Sequence, residues 1–582
     1  MTGGRALHRT TDIPLPSPKQ RWVLARSSHF LTLSSAGERR TREVVAELET
    51  LLAALRKIDP HFAAAGELTR MILFARARDA QPYFELIVGQ RLPGAFVTNA
   101  EGVATILIDG SRSDSDRPFF HELVHNALTN SGTHLPLWLE EGIAEYYSSA
   151  EVTNQAVRVG RPIREHMMMM RNRPPMKLAD LFAVEPGSDI SLSSFFYGQS
   201  WSVVDWMMRA DRVAFFEFLD DVERGASSLD ALQSHFHVDP GIIERNIQGA
   251  QVRPAARSTL RVDENVEPAL TQPLEHTDVI VELANFLGGF EATRDDAERF
   301  LNASLTADPK NGRAVAAMAA LRAKEKRYGE ATNLYEQALQ LSPDDANIRL
   351  TFAESLLGNA IGPFSGTVEV EADAAPRFRR ARQLAGEALT GGADPARADA
   401  AIGTSYLVEP DVRPGIEALQ RAHAMRPNRY DVALSLYALL IRAGERDAAE
   451  HLYKEISSRA RTPQAIFAAK MVYVHEHLAI VNRLIAENRV ADAIPVLSQL
   501  IDATSDPTAK ADLQRQLVRV IEVGEANKQI TTFNEAIAAA NQGDGEKALQ
   551  ILESLLETAK DPKVIKDAIA FRTELHKRVK RR

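Results

Sequence analysis

Over the first 250 residues the apolar positions change period several times. From Trp22 to Leu33 they read as a strand pair or one long strand. From Arg42 to Arg56, Val44, Val45, Leu48, Leu51, Leu52 and Leu55 recur at helical spacing, which predicts an amphipathic helix. Met71 to Phe74 is a short strand, and Ala95–Thr98 with Ala104–Ile108 reads as a hairpin around Glu101-Gly102. A helix starts near Asp116 and Pro118, and others follow at about 138–149, 160–171, 197–210 and 212–222. Strands precede helices, an α+β order rather than a βαβ one. Residues 1–20 are polar, carry Pro14, Pro16 and Pro18, and read as a disordered lead. Residues 251–275, with Pro254, Pro268 and Pro273, read as a linker.

Beyond about residue 276 the pattern turns to Ala- and Leu-rich helices with a repeat. If Gly312 is position one, Ala319 falls at eight, Ala331 at twenty, Tyr335 at twenty-four, Ala338 at twenty-seven and Pro343 at thirty-two. That matches the tetratricopeptide pattern, with small residues where two helices cross and a proline after the second. Gly403, Leu419, Ala422 and Pro427 fit the same template, and Ala449 with Tyr453 follows in phase. Ala493 with Leu497 and Ala548 with Leu552 fit more loosely. Residues 276–582 therefore read as an all-α repeat solenoid of five or six helical hairpins, interrupted by an insertion near 358–378. The basic end, Lys577 to Arg582, reads as a solvated last helix.

Length and composition narrow this picture only slightly. The 582 residues suggest three or four domains, and 45% hydrophobic with 25% charged residues is a globular composition. A net charge of −9 argues against a dedicated nucleic-acid binder. The chain has no cysteine, so a zinc site must use His and carboxylate ligands. No apolar stretch is long enough to span a bilayer. The start has no apolar signal segment, which points to the cytoplasm by default, or to export if a leader was removed.

The chemistry concentrates at His121-Glu122-Leu123-Val124-His125, followed by Trp138-Leu139-Glu140-Glu141-Gly142-Ile143-Ala144-Glu145-Tyr146. Histidines four apart share one helix face, so two neutral imidazoles can bind one Zn²⁺ and leave room for a third ligand and a water. Glu122 sits beside the first ligand, placed to take a proton from that water. A His-Glu-x-x-His string alone is moderately specific. Here it lies among Phe119, Phe120, Leu123, Val124, Ala127 and Leu128, and polar groups in an apolar helix need a partner such as a metal.

These motifs resemble the gluzincin peptidases, in particular bacterial peptidase-MA-like families of unknown substrate that are distantly similar to the large zinc aminopeptidases. The likeness covers residues 22–222 in layout and some thirty in specific motif. It implies an α+β gluzincin-like metallopeptidase domain over 21–250 ahead of the tetratricopeptide-repeat solenoid. It implies Glu141 as the third zinc ligand, with one Zn²⁺ per chain. Glu140, about 100° away around the helix, is the weaker alternative, and Glu145 the next candidate ligand. The resemblance also implies that Glu145 holds His121 from behind. It implies that Tyr197, in an aromatic stretch from Phe195 to Trp206, points its hydroxyl at the oxyanion; the plainer reading is a core tyrosine opening a helix. His134 and His166 read as loop or helix-surface residues, His29 as structural, and Met167–Met170 as gap-filling helix.

The main expectation is a zinc peptidase. Zn²⁺ lowers the pKa of a water, Glu122 takes the proton and passes it to the leaving amine, and the repeats recruit substrate or a partner protein. No motif in 80–110 identifies a carboxylate for a free amino group, so an endopeptidase is expected. The alternative is a repeat-based scaffold whose peptidase-like layer has little or no turnover. Proteases similar to the prenyl-protein endopeptidases fit less well, because their third glutamate lies further downstream without the Trp-Leu-x-Glu-Gly context.

Overall fold

A computed structural model describes residues 12–58, 60–62, 68–99, 103–111, 117–131, 133, 135–153, 156–248, 258–262, 267–358, 374–427, 429–459, 463–504 and 507–579. The strands are β1 (Trp22–Arg26), β2 (Phe30–Ser34), β3 (Thr69–Phe74), β4 (Gly94–Thr98), β5 (Ala104–Asp109), β6 (Glu151–Thr153), β7 (Ala156–Val159), β8 (Ser258–Arg261) and β9 (Leu270–Leu274). The first ten helices are α1 (Glu38–Ile58), α2 (Ala77–Ile87), α3 (Arg117–Asn130), α4 (Leu137–Ser148), α5 (Arg164–Asn172), α6 (Leu178–Phe182), α7 (Ser194–Ala210), α8 (Arg212–Glu223), α9 (Ser228–Phe236) and α10 (Pro240–Gln248).

Six strands form one mixed sheet in the order β4-β5-β3-β2-β1-β9, and β6-β7-β8 form a small second sheet. The β1–β2 and β4–β5 pairs are antiparallel, as expected from their short connections. The β2–β3 and β3–β5 pairs are parallel, with α1 connecting the first pair. The expectation of no βαβ unit is therefore corrected. The Arg42–Arg56 helix is a crossover connection, which parallel neighbours require and which single-element periodicity does not reveal.

The two faces of the sheet follow the period-two alternation. Met71, Leu73, Ile106 and Ile108 join the core that holds α1, α3, α4 and α7. Ile72, Phe74 and Leu107 face the other way, into a core shared with α2 and with α11 (His276–Leu287), α12 (Arg294–Ala307) and α13 (Gly312–Lys324). The first repeats thus form a layer on the sheet. The stretch read as a linker supplies β8 and β9, and β9 pairs with β1 from Trp22↔Leu274 to Arg26↔Leu270. Prolines demote a stretch to edge strand, and β9 carries Pro273 at an edge. Of the expected disordered lead, residues 1–11 lie outside the described residues. Ile13 is fully buried in the sheet–repeat core, and its N–H donates to Asp296 Oδ1 at 3.3 Å.

The described residues fall into two compact units, the first ending at Leu436 and the second beginning at Tyr437. In the first, α13 is followed by α14 (Tyr328–Leu341) and α15 (Ala346–Leu357). The positions the repeat period singles out, Ala319, Ala331, Tyr335 and Ala338, are all buried, and Tyr335 stacks on Phe352 at 4.9 Å. Gly403 shows why the period needs small residues. A Cβ there would lie 2.8 Å from the Gly415 carbonyl oxygen and inside the Leu419 side chain. In the second unit the in-phase Ala449 and the more loosely fitting Ala493, Leu497, Ala548 and Leu552 are buried, and the in-phase Tyr453 is half-buried. Among the described residues fourteen helices follow one another from α11 to Gly545–Thr558. Of the expected insertion, 359–373 lies outside the described residues and Ala375–Thr390 is helical. The C-terminal region is a tetratricopeptide-like helical array.

Candidate metal centre

The helix α3 buries Phe119, Phe120, Leu123, Val124, Ala127 and Leu128 and leaves His121 and His125 on its remaining face. The helix α4 packs across it, fixed by Trp138, which is fully buried, stacks on Phe182 at 4.2 Å and donates from Nε1 to Ser228 Oγ at 3.2 Å. Gly142 lets α7 close onto α4. A Cβ at that position would lie 2.7 Å from the Ser200 carbonyl oxygen. The Glu-Glu-Gly sequence therefore has a packing reason beside its chemical one.

The two helices bring three ligand atoms to one point. His121 Nε2 and His125 Nε2 are 3.1 Å apart, and Glu141 Oε2 lies 3.3 and 3.4 Å from them. These three residues are the one group among the described residues that could hold a metal ion. Each ring also has a carboxylate at its other nitrogen. Glu145 Oε1 is 3.5 Å from His121 Nδ1, and Glu140 Oε1 is 3.1 Å from His125 Nδ1. A carboxylate at Nδ1 fixes the proton there and leaves Nε2 as the ligating lone pair. Glu141 Oε2 is buried and has no hydrogen-bond donor. An orphaned carboxylate oxygen beside two imidazole nitrogens fits a tetrahedral zinc site made of two histidines and a glutamate.

The electrostatics follow from this crowding. Burial, the largest influence, disfavours protonation of His121 and His125, but the carboxylates around them outweigh it and both rings lie above the ordinary histidine range. Burial likewise pushes against ionisation of Glu141, and the two imidazoles hold it well below the usual carboxylate range. Without a cation the cluster shares protons; a divalent cation would replace them. Glu122 goes the other way. Burial raises it, Glu141 adds repulsion, and the two histidines and the Phe96 N–H offset that only partly. A carboxylate raised in this way is suited to proton transfer near neutrality. The Tyr197 hydroxyl is raised by burial and by the carboxylates Glu141, Glu122 and Glu145, so it stays a donor. The Tyr197 ring centroid is 6.4 Å from that of His121.

Every residue expected at the site lies within it: His121, Glu122, His125, Glu141, Glu145 and Tyr197. Three contributors were not expected there. Glu140, by sequence an alternative ligand, backs His125. Arg117 donates from Nη2 to Glu145 Oε2 at 2.8 Å. It stands four residues before His121, so its place on the same helix face was readable. His166 corrects the reading of a surface histidine, because it is buried and its Nε2 lies 3.0 Å from Glu145 Oε2. No local signal announces it; the contact depends on how α5 docks on α7. His134 lies outside the described residues.

Fold and site together define a mixed-sheet layer with a His-His-Glu cluster, joined to a helical-repeat array. The model of a family described as a protein of unknown function, DUF1570, matches residues 118–226, a span that includes His121, His125 and Glu141. A tetratricopeptide-repeat model matches residues 322–360. No curated protein matches the chain. Among solved structures, YrrB, a TPR protein with an unusual peptide-binding site, is 16% identical, covers 37% of this chain and 97% of its own, and has a TM-score of 0.26. PilF of Pseudomonas aeruginosa is 18% identical over 41% of this chain and 99% of its own, TM-score 0.29. PilW, a type IV pilus biogenesis factor, is 21% identical over 39% of this chain and 93% of its own, TM-score 0.27. Scores of this size carry no functional argument. Among the described residues no helix is long and apolar enough to cross a membrane.

Proposed function

We propose that this chain is a zinc-dependent peptidase of the gluzincin type, an endopeptidase, whose repeat array recruits a substrate or partner protein. The observation that carries the reading is the convergence of His121 Nε2, His125 Nε2 and Glu141 Oε2 within 3.4 Å, with an acid behind each ring. When bound, zinc supplies a Lewis acid that lowers the pKa of water and polarises a carbonyl. Glu122 accepts the proton of the attacking water and returns it to the leaving amine. The Tyr197 hydroxyl donates to the developing oxyanion.

The edge strand β4 supports a peptide substrate. Its register with β5, with Asn99 N–H donating to the Val103 carbonyl and Asp109 N–H to the Pro93 carbonyl, turns the backbone of Gly94, Phe96 and Thr98 away from the sheet. That is the edge an extended peptide can join. Glu122 lies against this strand, its Cγ 3.3 Å from where a Cβ on Gly94 would stand, so the general base and the edge are adjacent.

A second reading is an interaction scaffold with little or no turnover. The tetratricopeptide match at 322–360 favours it, since that match speaks for protein partners and not for catalysis.

Metal analysis of the purified protein should give about one zinc per chain, reduced in His121→Ala and in Glu141→Ala. Glu122→Gln should keep zinc and lower cleavage of a peptide library by about 10²- to 10⁴-fold. Unchanged activity in Glu122→Gln would sink the mechanism. A zinc-loaded wild type that cleaves nothing would leave the scaffold reading standing.

A further inference from the structure

Glu145, which faces His121 in the proposed zinc site, is itself held by two donors. Its Oε1 faces His121 Nδ1, and its Oε2 is shared by Arg117 Nη2 at 2.8 Å and His166 Nε2 at 3.0 Å. The two donors differ. The Arg117 side chain is 35% exposed, and its guanidinium also reaches Ser148 Oγ at 3.4 Å and Glu165 at 3.7 Å. The His166 side chain is 9% exposed and has one clear polar partner, Glu145. Its ring is boxed in by α7. A Cβ on Gly198 would lie 3.5 Å from His166 Nδ1 and 3.7 Å from its Cα, so the imidazole lies against the glycine beside Tyr197. The Trp201 ring is 5.7 Å away by centroid, inclined at 48°.

We propose that His166 is a positioning residue of the metal centre: through Glu145 it fixes the rotation of the His121 ring, and by packing on Gly198 it fixes the turn of α7 that presents Tyr197. This inference rests on the zinc reading of the site. The physical case is one of rigidity. A carboxylate held by one long, half-exposed arginine can swing with it, whereas one also held by a buried, packed imidazole cannot. If the carboxylate swings, His121 Nε2 turns off the point where the three ligand atoms meet, and metal affinity falls. The glycine contact extends the effect to the oxyanion donor, which a simple hydrogen-bond support of a ligand would not reach.

The test is zinc affinity by chelator competition on the full chain, together with the visible absorption of the cobalt-substituted protein as a signature of ligand geometry. His166→Ala should bind zinc about 10- to 100-fold more weakly and shift the cobalt bands. His166→Gln, whose amide nitrogen can occupy the place of Nε2, should recover zinc affinity to within about threefold, whereas the shorter Asn should behave like Ala. Wild-type zinc affinity in His166→Ala, or equal affinities in the Gln and Asn variants, would overturn the assignment. If the Ala variant fails to fold, the Gln and Asn pair decides. A wild-type chain that takes up no zinc overturns the zinc reading itself, a result distinct from a wild type that binds and a His166→Ala that binds equally well.

Discussion

In the sheet-and-helix layer, Glu122, Glu140, Glu141 and Glu145 share a partly buried space with His121, His125 and His166. In the repeat array the corresponding positions are Ala319, Ala331, Ala338 and Tyr335, all buried. The first region gathers several carboxylates and imidazoles at one point; the second combines close backbone approach at small residues with separate ion pairs on buried carboxylates, such as Arg442–Glu476 and Arg421–Asp399. The two also differ in range. The repeat contacts join neighbouring helices at a fixed interval, while Glu145 to His166 and Glu122 to β4 join elements that only the tertiary fold brings together.

The largest expected effect comes from separating the sheet from the first repeats, which share one core. A chain ending at residue 269 would lose β9 and α11–α13 and expose Trp22, Leu33, Ile72, Phe74, Ala95 and Leu107. At about 2 kcal/mol for each large side chain, that loss approaches or exceeds a whole domain's stability. The truncated chain should show no cooperative unfolding transition by circular dichroism, and a sharp transition near that of the full chain would refute the shared core. Next in size is Gly403→Ala in the array, where a methyl group has no room; we expect about 3 kcal/mol lost in denaturant unfolding, with zinc affinity unchanged.

A smaller effect is expected from a buried charge in the same unit as the His-His-Glu cluster. Asp205 is buried, and that burial, only partly offset by Arg209, raises its pKa to about 6. A carboxyl group whose pKa is higher folded than unfolded contributes stability below the unfolded value, near 4, and loses it as pH rises through the folded value. Asp205→Asn should therefore be more stable than wild type at pH 8, by about 2 kcal/mol, with the difference vanishing below about pH 4 in thermal melts. A constant difference across pH would contradict this. The smallest expected change is at Glu140. Glu140→Ala should weaken zinc binding about tenfold without altering the melting curve of the metal-free chain.

Much of both regions was legible in the chain. Helical period and small-residue spacing are local properties, so the array could be read hairpin by hairpin, down to Ala331 and Leu419. His121, Glu122 and His125 were legible because four residues make one turn, and Arg117 could have been read by the same rule. What escaped was long-range. The β2–β3 and β3–β5 pairs are parallel, and α1 looks the same in sequence whether it is a crossover or a free-standing helix. Residues 251–275 carry too few apolar positions to reveal strands, and β9 exists because β1 offers it an edge.

By itself, then, the sequence determined the elements with internal repetition: the helical array, the His-Glu-x-x-His face and the glutamates one turn apart on α4. The tertiary structure alone decided that the repeats form a layer on the sheet, that Glu140 backs His125, and that His166 and Arg117 meet on Glu145. The reason is the reach of each interaction. Periodicity encodes which face of an element is buried, but which face it is buried against depends on packing between segments whose separation along the chain carries no signal.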